Sequence, residues 1–297
     1  MMDKPTWNST LKAFLYLLPA LLILIVFNIY PIIKSFLMSF YTEYDFYNDI
    51  VYKYGLSNFS DILNDPNFIK AVINTTVFVI GVVPISIITS LAIAVMLNSK
   101  VKGLSFFRTI YFLPFVTSVV AVAIVWSWIF HSDYGLLNYF LGWFGIDPIQ
   151  WLTDPTYSMP ALIILSVWKG LGFNIIIFLA GLQNINRQYY LAAQVDGASA
   201  WHRFLSVTLP LLSPTMFFIS IISIINAFKV FDEIFALFNG TAGPANSTLT
   251  VVYYVYQKFY EEWEFGLASA AAFVLFIIVF LFTLIQLSLG KKFVHYQ

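Results

Sequence analysis

The 297-residue sequence contains no cysteine. Disulfides, thiolate metal sites and cysteine nucleophiles are therefore excluded together. Charge is scarce too: Asp, Glu, Lys and Arg make up 10% of the chain, against about 25% in soluble domains. No Gly-x-x-x-x-Gly-Lys-Ser/Thr run occurs, so the chain has no phosphate loop with which to bind and hydrolyse ATP itself. His-Glu-x-x-His is missing as well, and His131, His202 and His295 are scattered, which offers no metal site. No cluster of acids or histidines falls within an apolar run, and that argues against an intramembrane enzyme.

Apolar residues make up 60% of the chain and aromatics 19%. Several charge-free runs exceed the roughly 20 residues that cross a bilayer. The first follows Lys4 and Lys12 and continues from Ala13 to Ile33. That is longer than the apolar core of about 7–15 residues in a signal peptide, so it reads as a retained helix. The pattern predicts an all-α polytopic membrane protein, one transmembrane domain over residues 1–297. Its six spans fall at about 12–40, 69–98, 106–130, 158–184, 205–238 and 265–290. Pro19 and Pro31 are expected to kink the first, and Lys34 to snorkel from its end. Trp126, Trp128 and Phe130 close the third with rings suited to the membrane interface.

Loop charge predicts orientation. With the N-terminus inside, Lys4, Lys12, Lys100, Lys102, Arg108, Arg187, Arg203, Lys291 and Lys292 fall on the inner side. Only Lys53, Lys70 and Lys258 fall outside, a positive-inside bias that puts both termini in the cytoplasm. The outer segments are rich in aromatics, among them Tyr41, Tyr44, Tyr47, Tyr52 and Tyr54, then Tyr253, Tyr254, Tyr256, Phe259, Tyr260 and Trp263. They suit either an interfacial belt or a landing surface for an external protein that delivers solute.

The most informative stretch is 190–214, on the inner side between spans four and five. A helical segment stops at Asp196-Gly197, where glycine tolerates the left-handed C-terminal conformation. Ser199 is placed to cap the next helix. The residues Ala192-Ala193, Asp196-Gly197-Ala198, Phe204 and Leu209-Pro210 resemble the cytoplasmic loop of binding-protein-dependent ABC importer permeases. In the carbohydrate-uptake branch that loop reads Glu-Ala-Ala-x-x-Asp-Gly-Ala, followed by Phe and Leu-Pro. Leu191 stands where the family has Glu, so the contact there is apolar. Tyr111-Phe112-Leu113-Pro114, Trp168-x-Gly170, Phe231-Asp232-x-Ile234 and Gly243-Pro244 extend the resemblance along the chain.

The resemblance implies six spans and an importer built from this permease, a second related permease, two cytoplasmic ATPases and an external solute-binding protein. The binding protein would be a lipoprotein in Gram-positive organisms. It also implies no cofactor in this chain, with ATP and Mg on the partner ATPases, in the cell membrane of a bacterium. Residues 185–206 become the coupling loop, with Tyr190, Leu191, Ala192, Ala193, Asp196, Gly197, Ala198 and Phe204 facing an ATPase. Tyr190, Val195 and Phe204 are the expected apolar anchors.

Span five carries Asn226, Lys229 and Glu233 at helical spacing, so one face is expected to stack them. Lys229 is expected to pair with Glu233, either as a self-satisfied pair or as part of a solute cavity, where buried ionisable groups normally face. Carried over by resemblance, the candidate solute contacts are Ser166, Lys169, Gly170, Phe173, Asn226, Lys229 and Glu233. The implied solute is a sugar or oligosaccharide, with an acidic sugar or glycerol phosphate ester as the alternative. An ion-coupled secondary transporter is the rival of another class, although no inverted repeat is visible in the sequence.

Overall fold

The computed structural model describes residues 7–98 and 103–293; Lys4, Lys100, Lys102 and His295 lie outside them. In chain order the elements are α1 (Trp7–Leu24), α2 (Tyr30–Met38), β1 (Tyr41–Asp45), β2 (Ile50–Tyr54), α3 (Ser57–Asn64) and α4 (Pro66–Leu97). Then follow α5 (Leu104–Val116), α6 (Val119–Ile129), α7 (Leu136–Gly142), α8 (Pro155–Asn184), α9 (Arg187–Val195) and α10 (Ala200–Arg203). The chain finishes with α11 (Leu209–Phe228), α12 (Asp232–Leu237), α13 (Val251–Tyr256) and α14 (Phe265–Phe293). Among the described residues five helices are long and apolar enough to cross a membrane, and a sixth span is counted if one bent pair is a single crossing. The chain divides into two compact units, residues 1–65 with 255–274, and residues 66–254 with 275–297.

In the first unit α1 and α2 form the first predicted span, joined by a π turn at Ile25–Ile29. Pro31 sits in the first turn of α2, directly after the π turn, and the widened turn absorbs its steric demand and its missing N–H. None of the most apolar window of Leu11–Met38 is buried by the chain. A helix that is apolar all round and uncovered by its own chain is one for lipid or another apolar subunit to cover.

The expected loop after it is a β-hairpin, the one departure from an all-helical fold among the described residues. β1 and β2 pair antiparallel, with Tyr41 opposite Tyr54 and Glu43 opposite Lys53. Asp45 closes the turn by accepting from the amides of Tyr47 and Asn48 and from the Asn48 side chain, which hold its carboxyl below the usual range. The Tyr44 hydroxyl donates to Asp49 at 2.8 Å, and that bond to a carboxylate pushes the phenol up to about 12. Asn58 of α3 donates to the carbonyls of Ser39 and Tyr41 and anchors the hairpin base. Phe46 stacks on Phe265 and Tyr47 on Trp263, so aromatics read singly as an interfacial belt form a connected ring cluster.

In the second unit α8 is the central helix, packed against α4 and α5, with α11 against α4. Leu91, Ala94, Ile175, Phe178, Leu179, Leu182, Leu212 and Ile219 make its core. The third predicted span is not one helix. It divides into α5 and α6 with a 99° bend. Thr117 and Ser118 between them are extended (ψ 146° and 131°), which no α-helix accommodates. Phe130, expected at the interface, is 1% exposed and packs between Trp126 and Trp151.

The fifth predicted span is broken too. α11 ends at Phe228, Lys229 (φ −99°, ψ 13°) and Phe231 (φ −148°, ψ −56°) leave the helical region, and α12 starts at Asp232. α6 packs against α12, so each broken span supports the other's short half.

Two polar latches hold the connections of this unit. Lys70, Asn74 and Thr75 on α4 bond the backbone of Ala245, Asn246, Leu249 and Val251. The second is Asn138 on α7, 7% exposed. Its amide donates to the carbonyls of Ser132 and Ile149, and its oxygen accepts from Ile149 N and Trp151 Nε1. Asn138→Leu strands all four groups, and buried unsatisfied groups cost about 1–3 kcal/mol each. The expected result is a thermal midpoint lowered by several degrees and a red-shifted Trp151 emission, measured in detergent against a background without the other tryptophans.

Candidate functional site

The break after α11 borders a cavity of about 310 Å³ within the second unit, which Phe115, two residues before the other break, also lines. α8 contributes Ser166, Lys169, Gly170, Phe173 and Asn174 to its wall, and α4 contributes Phe78, Val82 and Ser86. Phe115 comes from the end of α5, Ser223 and Asn226 from α11, and Lys229 through Glu233 from the break and the start of α12. All seven residues predicted as solute contacts, Ser166, Lys169, Gly170, Phe173, Asn226, Lys229 and Glu233, line this one space. The reason is geometric. Ser166, Lys169, Gly170 and Phe173 recur on one face of a continuous helix, and unwinding at 229–231 turns the following residues toward it.

One expected contact is replaced. Lys229 and Glu233 do not share a continuous helix, because the break lies between them. Glu233 instead pairs with Lys169 at 3.4 Å, with side chains 17% and 20% exposed, and the bond ties α12 to α8. Lys229 makes no ion pair among the described residues. The Ser166 hydroxyl is buried without a hydrogen-bond partner. Such groups are rare in native proteins, and this one lies within the wall of the cavity. Asn174 donates to Ser86 Oγ at 3.0 Å and fixes the polar floor between α8 and α4. Phe173 stacks on Phe115 at 5.3 Å and gives the wall an aromatic face.

Residues missed in the sequence also matter here. Asp232 appears there only within the Phe231-Asp232-x-Ile234 motif, yet it lines the cavity with Glu233. Ser86, Asn174 and Phe115 lie on helices whose apolar runs hid them. Gly172 is the least visible. A Cβ there would stand 2.1 Å from the Tyr111 carbonyl and 2.8 Å from Phe112 Cα, so α8 meets α5 backbone to backbone beside the cavity.

The 185–206 loop folds as two short helices. α9 is capped by Asn186 and ends with Gly197 at φ +76°. Gly197 N–H reaches Gln194 O and Ala198 N–H reaches Ala193 O, the bond pair of a Schellman end. The Ser199 hydroxyl accepts from His202 N–H and caps α10, as expected. A π turn at Phe204–Thr208 then leads into α11 just ahead of Pro210.

The side chains distribute differently from the expectation. Tyr190 and Phe204 turn inward onto the core around Leu182 and Leu212, and the Tyr190 hydroxyl bonds Thr208 Oγ1 at 3.0 Å. Of the three expected anchors, Val195 alone faces outward, 87% exposed, and Leu191 and Trp201 are 48% and 68% exposed beside it. Ala192, Asp196 and Gly197 are exposed, whereas Ala193 and Ala198 are half-buried.

A profile described as "Binding-protein-dependent transport system inner membrane component" matches residues 82–295. The chain belongs to this family. It is therefore a permease of the inner membrane. Over 97% of its length it is 38% identical to the lactose transport system permease protein LacF of Rhizobium radiobacter, covering 98% of that protein. It is 36% identical to the arabinooligosaccharides transport system permease protein AraP of Halalkalibacterium halodurans, over 97% of this chain and 91% of that one. Among solved structures it superposes with a TM-score of 0.81 on a chain of a bacterial alginate ABC transporter in complex with an alginate pentasaccharide-bound periplasmic protein. The two are 25% identical and cover 97% and 98% of each other. The permease thus has a binding-protein-dependent architecture, and both helix breaks lie inside the matched region.

Proposed function

We propose that this permease is one of two membrane subunits of an ATP-driven importer that moves a sugar or oligosaccharide from an external binding protein into the cytoplasm. The observation that carries the reading is the cavity at the break between α11 and α12. Exposed Asn226, unpartnered Ser166 and the Phe115–Phe173 face supply the amide, hydroxyl and ring contacts that a saccharide uses. Unwound backbone is tolerated at membrane depth where it lines such a space. The names of the lactose and arabinooligosaccharide relatives support the same solute class.

The orientation comes from the loop charges, with the termini and the 185–206 loop in the cytoplasm. Tyr190, Leu191, Ala192, Ala193, Asp196, Gly197, Ala198 and Phe204 form the coupling element, with Leu191, Val195 and Trp201 as the surface offered to an ATPase. ATP and Mg bind to the two partner ATPases, whose closure on ATP pushes the α9–α10 corner and switches the permease pair toward the outward-open state. Hydrolysis resets it, and this chain makes and breaks no bond.

Two measurements test the reading. The tagged chain, purified in mild detergent, is expected to bring down an ATPase and a second permease; a chain that purifies alone and transports under an ion gradient is a secondary transporter instead. Asn226→Trp puts a bulky ring on the wall of the cavity, and uptake is expected to fall at least 100-fold while the complex still assembles. Unchanged uptake by that variant removes the cavity from the solute path.

A further inference from the structure

We propose that the Lys169–Glu233 ion pair makes the cavity selective for uncharged saccharides and against sugar acids, with Glu233 as the specificity-determining residue. This rests on the cavity being the solute path. Four ionisable side chains line it: Lys169 and Lys229, balanced by Asp232 and Glu233. Its formal charge is zero.

The arrangement is more telling than the sum. Lys169 projects from a continuous helix and Glu233 from the short helix beyond the break, yet they meet at 3.4 Å with both side chains four-fifths buried. In such surroundings opposite charges hold each other far more strongly than in water. An incoming carboxylate must displace Glu233 to reach Lys169, and at Lys229, the lining lysine without an ion pair among the described residues, its attraction is offset by the carboxylates of Asp232 and Glu233 on the same wall. A sugar hydroxyl meets no such penalty. It accepts from the ammonium hydrogens that Glu233 leaves unused and donates to the spare carboxylate lone pairs. Acidic alginate is the cargo of a structurally similar importer, so the scaffold itself does not exclude anions. Here the exclusion lies in side chains, and one substitution should lift it.

The test uses the importer purified through a tag on this chain, with the subunits that accompany it. It is incubated with an equimolar mixture of neutral di- to tetrasaccharides and their uronate counterparts, and the retained species are quantified by mass spectrometry. The natural protein is expected to favour neutral species at least tenfold. Glu233→Gln frees Lys169, raises the cavity charge to +1, and is expected to move the ratio at least tenfold toward uronates. The exchanged pair, Lys169→Glu with Glu233→Lys, restores the balance with the sign reversed and is expected to return the neutral preference. That recovery separates charge from a merely loosened fold. An unchanged ratio in Glu233→Gln, or a uronate preference in the natural protein, overturns the proposal. If Asn226→Trp retains as much saccharide as the natural protein, the cavity reading itself has failed, which is a different result from an unmoved ratio.

Discussion

Gly172→Val is expected to abolish the folded permease. The Cβ of any larger residue would lie 2.1 Å from the Tyr111 carbonyl oxygen and 2.8 Å from Phe112 Cα. Both are backbone atoms, which cannot swing aside as a side-chain tip can. Small residues at helix crossings let backbones approach closely, and packing is the main force joining helices within lipid. Overpacking typically costs about 1–3 kcal/mol, and more when backbone must move. Gly172→Ala is therefore expected to lower the thermal midpoint in detergent by several degrees, and Gly172→Val to yield only aggregate on size-exclusion chromatography. Gly170→Ala is the control. Its added methyl meets nothing closer than Ser86 Oγ at 3.9 Å, so folding is expected within about 0.5 kcal/mol of the natural protein. Equal behaviour of the two alanine variants would show that α5 and α8 do not cross at Gly172.

Gly197→Val is expected to eliminate uptake from a protein that still inserts and assembles. The glycine is exposed and a Cβ there would touch nothing within 4 Å, so sterics with neighbours are not the issue. Its φ of +76° is. A left-handed residue costs L-amino acids roughly 1–2 kcal/mol, and β-branched side chains more. That is small against the stability of a packed helical unit but large against one Schellman end. The corner between α9 and α10 should re-form with different angles, carrying Leu191, Val195 and Trp201 out of register with the ATPase. Binding-protein-stimulated ATP hydrolysis is expected to fall together with uptake. Gly197→Asn, which tolerates the left-handed region, should recover most of both. Normal uptake in Gly197→Val would remove this corner from energy coupling.

Much of this was legible before any coordinates. The Asp196-Gly197 stop and the Ser199 cap are local events, decided by backbone sterics and by a hydroxyl within reach of the next amides. Both form as read. The hairpin was missed because its strands are five residues long and their tyrosines fit an interfacial belt equally well. The broken third and fifth spans were missed for a related reason. Hydropathy barely dips at Thr117-Ser118, and the charges at Lys229, Asp232 and Glu233 read equally well as the polar face of an unbroken helix, since composition carries no information about helix continuity.

By itself, the sequence determined the class of the protein: too little charge for a soluble surface, apolar runs long enough for a bilayer, no phosphate loop, and a glycine corner between two capped helices. These properties depend on composition or on neighbours a few residues apart. Tertiary structure alone decided which groups meet. Lys169 and Glu233 are 64 residues apart along the chain, so no helical periodicity couples them. The close crossing at Gly172 depends on a second backbone, which spacing along one helix does not reveal. Inward Tyr190 and outward Val195 likewise follow from where the core around Leu182 and Leu212 lies, because α9 itself is only weakly apolar. Burial is a property of the partner surface, and only folding brings that surface into place.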